Sequence, residues 1–86
     1  MSQFVEVAKV IKVDYDHEWQ SLKVTVQYMR DGKMLNRWFH TERFSVNVQD
    51  KSLSEVRTTL EHKVRQRLLA RAKSFNSLIG LVIEPE

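Results

Sequence analysis

The stretch from Ser52 to Phe75 contains neither glycine nor proline, and its pattern predicts one long amphipathic helix. Glu55 follows Ser52 by three residues, which is the spacing of a capping box at a helix start. Apolar residues recur at steps of three, four or seven and form one helical stripe: Leu53, Val56, Leu60, Val64, Leu68 and Phe75. Asn76 and Ser77 are the expected stop residues. Such a helix spans roughly 36 Å, which covers a small sheet and lets the tip overhang.

Three strand-like runs precede the helix. The first, from Phe4 to Tyr15, is rich in valine and isoleucine and is partly apolar on both faces. This pattern indicates either a strand that is covered on two sides or a β-bulge near Val10. The second run, from Leu22 to Met29, alternates apolar and polar residues and predicts a half-buried strand.

The dipeptide Asp31-Gly32 predicts a hairpin turn into the third strand, and two registers are possible. A two-residue loop pairs Arg30 with Lys33, but continued along the strand it buries Arg37 and leaves Trp38 outside. A three-residue loop pairs Tyr28 with Met34 and Val24 with Trp38. Because a slip of one residue reverses every side chain, we favour the second register. It places on the core face Met34, Trp38, Phe44, Val46 and Val48.

The run from Leu78 to Ile83 is apolar throughout and predicts a last strand with both faces buried. We expect it beside strand one or paired with another copy of the protein, since an exposed apolar edge promotes aggregation. The predicted fold is α+β with the order β-β-β-α-β. An antiparallel three-stranded meander and a C-terminal strand carry one long helix on one face. We expect residues 1–86 to form a single domain.

Composition narrows the possible classes of function. The chain has 86 residues, of which 42% are hydrophobic and 29% charged, as in an ordinary globular domain. It has no cysteine, so it forms neither disulfides nor thiolate metal sites. No apolar run is long enough to cross a bilayer, and the N-terminus lacks the pattern of a secretory signal. We therefore predict a cytoplasmic protein that does not contact a membrane.

The sequence contains no recognisable catalytic or metal-binding motif. Its two glycines are too few for a phosphate-binding loop, and His17, His40 and His62 lie in different predicted elements. The polar cluster from Asp14 to Trp19 is interpreted as a turn in which aspartate caps backbone N–H groups. We predict no metal, no cofactor and no enzymatic activity.

The charge pattern indicates a partner with phosphates. The net charge is +3, and the excess of basic residues lies in the middle of the chain. The predicted outer face of the hairpin interleaves cations with an aromatic ring: Lys23, Thr25, Gln27, Leu35, Arg37, Phe39 and Arg43. Single-stranded nucleic acid is held in this way, with cations on phosphates and an aromatic ring under a base. The basic end of the helix adds Arg65, Arg67, Arg71 and Lys73. The alternatives are a solvated face or a face covered by a second subunit.

Two hypotheses of function follow. The first is a small accessory protein that binds nucleic acid, with Phe39 stacking on a base. Lys23, Arg37, Arg43 and the basic end of the helix would contact phosphates. The second is a protein-interaction module, such as a small phage inhibitor or adaptor, that acts through a strand edge or as a homodimer. From Tyr28 to Thr41 the hairpin, followed by a helix, resembles DNA-reading modules such as the arm-binding domains of phage integrases. That resemblance assigns no residue a role.

Overall fold

A computed structural model describes residues 5–30, 33–34 and 41–85. The described chain is α+β, with one helix on one face of an antiparallel sheet. The strands are β1 (Val7–Asp16), β2 (Ser21–Arg30), β3 (Lys33–Met34) and β4 (Thr41–Asn47), and the helix is α1 (Leu53–Asn76). β2 is central: it pairs with β1 on one side and with β3 and β4 on the other. The predicted helix and the predicted second strand are thereby confirmed.

The helix begins and ends as its sequence predicts. Ser52 is the N-cap, and its hydroxyl accepts a hydrogen bond of 3.2 Å from the backbone N–H of Glu55. The Glu55 carboxylate in turn accepts one of 3.3 Å from the backbone N–H of Ser52. This reciprocal pair satisfies two N–H groups that the first turn leaves without helical partners. The helix ends at Asn76, with Ser77 as its C-cap.

The core lies between β2 and the helix. Three β2 residues, Val24, Val26 and Tyr28, are almost completely buried. Around them pack half-buried side chains from the helix, from β2 itself and from the neighbouring strands: Ala8, Leu22, Phe44, Leu60, Val64 and Leu68. The apolar stripe of the helix therefore faces the sheet as predicted, except that its first member, Leu53, is exposed.

A β-bulge interrupts the pairing of β1 with β2, and it lies near Val10, where the sequence left a bulge as one of two alternatives. The register shifts between Val10, which pairs with Val26, and Lys12, which pairs with Thr25. Because directly paired residues point to the same side of a sheet, this extra residue changes which side chains share a face. Val10 and Val13 both face the helix, and the two lysines of the strand, Lys9 and Lys12, both face away from it.

The favoured register of the third strand is wrong. Arg30 pairs with Lys33, and Met29 rather than Tyr28 pairs with Met34. Further along, Val24 pairs with Phe44 and not with Trp38. On β2 one residue, Tyr28, lies between Gln27, which pairs with Thr41, and Met29, which pairs with Met34. In the sequence six residues, 35 to 40, lie between Met34 and Thr41. The pairing at the turn is thus that of a two-residue connection, and Phe44 and Val46 still occupy the core face as predicted.

The predicted C-terminal strand does not form. Residues 77–80 make turns after the helix, and residues 81–85 have no regular secondary structure. A strand requires a partner edge, and residues 81–85 pair with no strand of the described sheet. The longest dimension of the described chain is 55 Å, well beyond the roughly 36 Å of the helix.

A buried hydroxyl links the central strand to β4. The Tyr28 hydroxyl donates a hydrogen bond of 2.6 Å to the Glu42 carboxylate. Burial, followed by this bond to the carboxylate, raises the pKa of Tyr28 above its ordinary value of 10.0.

We expect stability to fall at alkaline pH because of this tyrosine. A raised pKa in the folded state means that the contribution is complete below about pH 10 and is lost as pH rises further, since the unfolded chain ionises first. Urea unfolding between about pH 8.5 and 11 would measure the decline, and Tyr28→Phe should make it shallower. An equal decline in both proteins would contradict this origin.

Candidate nucleic-acid interface

The face of the sheet away from the helix is open and carries cations from three strands. One row of paired residues joins Lys12, Thr25 and Arg43, and the next joins Asp14, Lys23 and Ser45. On the other side of the first row, Lys9 pairs with Gln27. The alternation of β-strands therefore places four cations on this outer face: Lys9, Lys12, Lys23 and Arg43.

Two aspartates share the outer face and only partly offset its charge. Asp14 lies 3.5 Å from the ammonium group of Lys12, and both side chains are more than half exposed. Asp16 accepts hydrogen bonds from the backbone N–H groups of Glu18 and Trp19, which confirms the interpretation of this segment as a capped turn. Because exposed ion pairs are weak, a phosphate can compete with Asp14 for Lys12.

Two lysine ammonium groups meet at Ser45, beside a shallow groove at the end of this face. Lys23 donates to the Ser45 hydroxyl at 3.1 Å, and Lys63 reaches from the helix to the Ser45 carbonyl at 2.7 Å. Within the described ranges neither ammonium group has a carboxylate within ion-pair distance. The groove has a volume of about 470 Å³ and is lined by Trp19, Ser21, Lys23, Ser45, Asn47 and Lys63. Two unneutralised cations held at one residue favour the binding of an anion.

An aromatic ring and an unpaired hydroxyl complete the groove. Trp19 is 68% exposed, so its indole ring is accessible to a flat ligand. Ser21 is buried, and its hydroxyl has no hydrogen-bond partner in the part of the chain that the structure describes. A buried hydroxyl without a partner costs free energy, which a bound polar group would recover if it reached that atom.

The predicted basic residues of the helix have a different environment. Arg65 pairs at 3.0 Å with Glu61, four residues earlier on the helix, and Arg67 pairs with Glu42 at 2.9 Å. Hydrogen bonding from Arg57, above all, lowers the pKa of Glu61. Lys73 is exposed in the last turn of the helix.

Arg71 belongs to a buried network. Its guanidinium group donates two hydrogen bonds, of 2.8 and 2.9 Å, to the carboxylate of Glu6. Only 14% of the Arg71 side chain and 1% of the Glu6 side chain are exposed. The same guanidinium carbon lies 3.9 Å from the ring centre of Tyr28. The bonds to Glu6, foremost among several causes, raise the pKa of Arg71. This geometry indicates a structural role.

The structure brings together only some of the residues that the sequence singled out. Lys23 and Arg43 lie on the outer face, whereas Arg37 and Phe39 lie outside the described residues. The helix cations lie on the opposite side of the sheet, and their role in binding stays a prediction. Sequence reasoning missed Lys9, Lys12, Lys63 and Trp19 as members of a site. The bulge predicted near Val10 was the available signal for the two lysines of β1.

Other kinds of site are not evident in the described ranges. No group of three or more histidine or acidic side chains there is placed to hold a metal ion. No helix among those residues is both long and apolar enough to cross a membrane. The chain matches no protein-family model, no curated protein and no solved structure at a significant level. Interpretation of its function therefore depends on the geometry of its own surfaces.

Proposed function

We propose that this protein is a small nucleic-acid-binding protein that holds a single strand against the outer face of its sheet. The observation that carries the proposal is the convergence on one open face of cations from β1, β2 and β4. Lys63 adds a fifth cation from the helix at the rim of that face. Phosphates repeat along a nucleic-acid strand, and a surface with several spaced cations matches that repeat.

The aromatic ring at the end of this face supports a single strand rather than a duplex. Bases in a duplex are stacked on one another, whereas those of a single strand can stack on protein side chains. Trp19 is exposed beside Lys23 and Lys63 in the same groove, so a base and its neighbouring phosphates can be bound together. If Phe39 lies on the outer face, as the sequence predicts, it would add a second stacking position. In this proposal the protein binds without catalysing a reaction.

Salt dependence of binding is the direct test. We expect fluorescence anisotropy to show that a labelled single-stranded oligonucleotide binds more tightly than a duplex of the same length. If four phosphates are neutralised, the affinity for the single strand should fall about 50-fold between 50 and 200 mM salt. Lack of binding at 50 mM salt would contradict the proposal. Affinity that does not respond to salt would also contradict it, because phosphate contacts release counterions.

A further inference from the structure

An apolar groove runs along the other face of the sheet, between β1 and the helix. The helix lies closer to β4 than to β1, so it leaves the β1 side of this face partly uncovered. The groove has a volume of about 300 Å³, and apolar side chains form most of its wall: Ala8, Val10, Val26, Leu60, Val64 and Leu68. Further along β1, Val13 and Tyr15 point to the same side of the sheet. With Val10, these two residues are 45–54% exposed and form what we call the β1 shelf.

The same chain carries a second apolar surface without a partner in the described structure. We call residues 78–83 the C-terminal segment, and its apolar side chains become more exposed toward the end. Leu81 is 60% exposed, Val82 78% and Ile83 84%. Consecutive large aliphatic side chains are seldom left in water unless another surface covers them. The groove with the β1 shelf and the C-terminal segment are therefore both apolar, and each can cover the other.

Hydrogen-bonded turns hold the start of the C-terminal segment in place after the helix. Turns at residues 77–80 are closed by hydrogen bonds from Leu78 to Phe75, from Ile79 to Asn76 and from Leu81 to Leu78. Gly80 has a φ of 90°, a conformation that glycine adopts readily. With these turns in place, no residue of the segment lines the groove of its own chain. The groove is therefore available to the same segment of a second copy.

We propose that the protein forms a homodimer in which the C-terminal segment of each copy lies in the groove and on the β1 shelf of the other. A reciprocal exchange buries both apolar surfaces twice, as expected for a two-fold symmetric dimer. Charge favours the same arrangement, because residues 77–86 carry a net charge of −2 and the rest of the chain +5. The inference does not depend on the proposed function, since it uses the opposite face of the sheet.

Addition of the segment to the β1 edge as a further strand explains the exposed surfaces less well. A strand added there would extend the sheet sideways and leave the faces of Val10, Val13 and Tyr15 uncovered. A segment that lies across the β1 shelf, beside Leu60 and Val64 of the helix, covers these side chains and its own. The exchange is therefore best described as filling the groove.

The test measures mass in solution for the full chain and three variants. Light scattering and native mass spectrometry are expected to show a dimer for the unmodified chain at tens of micromolar. The tail variant, Leu81→Asp with Ile83→Asp, should raise the dimer dissociation constant at least about tenfold, because carboxylates would enter an apolar groove. The groove variant, Val10→Asp, should do the same. The control, Leu53→Asp, changes an exposed leucine at the far end of the helix and should remain dimeric.

Mixing the two defective variants gives a sharper result. The tail variant keeps an intact groove and the groove variant an intact tail, so together they can form one correct contact. A heterodimer in the mixture, with mainly monomer in each variant alone, would support the exchange. A dimer that persists in the tail variant would overturn it, since another surface must then form the interface. A monomeric unmodified chain would also overturn it, and protected amides at residues 81–83 would then identify the chain's own tail as the occupant.

Discussion

Replacement of Arg71 with alanine is expected to lower the free energy of unfolding by about 3–5 kcal/mol, the usual loss when one partner of a buried ion pair is removed. The variant would leave the Glu6 carboxylate, whose side chain is 1% exposed, without its bidentate partner. It would also remove a cation from the face of the Tyr28 ring. A domain of this length has a total stability of roughly 4–13 kcal/mol, so the loss is a large fraction of it. Urea unfolding followed by circular dichroism would measure the change.

A double-mutant cycle separates the ion pair from the packing of the arginine stem. Glu6→Gln should also destabilise the fold, and the double variant should lose less than the sum of the two single losses, because each removes the same interaction. Arg57→Ala is the matched control, since Arg57 also pairs with a glutamate but at an exposed site, where little change is expected. Additive losses from Arg71→Ala and Glu6→Gln would show that the pair is not coupled.

This network bears on how the basic end of the helix is interpreted. Arg67 connects the helix to Glu42 of β4, and Arg71 connects it to Glu6, one residue before β1, on the side opposite the outer face. A phosphate that bound Arg71 would have to displace a buried carboxylate, which would itself lose its partner. For this reason the proposed interface relies on the cations of the strands and on Lys63, and not on Arg67 or Arg71. Among the helix residues predicted to contact phosphates, Lys73 is exposed and Arg65 has only a surface partner.

Much of the fold could be predicted because its signals are local. The capping box at Ser52 and Glu55, together with the absence of glycine and proline, defined the helix almost to the residue. Strict alternation from Leu22 to Met29 defined the central strand and its two faces. The register after the turn failed because we assumed continuous pairing. The sequence has no evident signal that Met34 and Thr41 pair with β2 residues as close together as Met29 and Gln27.

The carboxylate partners of Arg67 and Arg71 were missed, although the sequence carries a signal for one of them. Glu42 lies two residues before Phe44 and four before Val46, so alternation places its carboxylate on the core face with them. A carboxylate on a core face requires a cation or a donor, and Arg67 and Tyr28 supply both. Glu6 offered no such clue, because its burial depends on where the helix ends over the sheet. The strand predicted at the C-terminus needs a partner edge, which sequence pattern alone cannot supply.

Removal of cations from the outer face is expected to have the largest effect on nucleic-acid binding. The variant Lys9→Ser with Lys23→Ser and Arg43→Ser removes one cation from each of the three main strands, and none of the three forms an ion pair in the described ranges. We expect about 100-fold weaker binding of a single-stranded oligonucleotide at 100 mM salt. The slope of the logarithm of affinity against that of salt should become shallower by about two, since three phosphate contacts are lost.

A helix variant of equal charge makes this result specific to the surface. Arg57→Ser with Arg65→Ser and Lys73→Ser removes the same number of positive charges from exposed positions on the helix. If the outer face binds the single-stranded oligonucleotide, this variant should keep most of its affinity and of the salt dependence of that affinity. The reason is that charges farther away than a Debye length of roughly 10 Å are screened. Equal losses in both variants would instead show that net charge governs binding. Loss in the helix variant alone would move the interface to the helix, where Arg65 and Lys73 were predicted to contact phosphates.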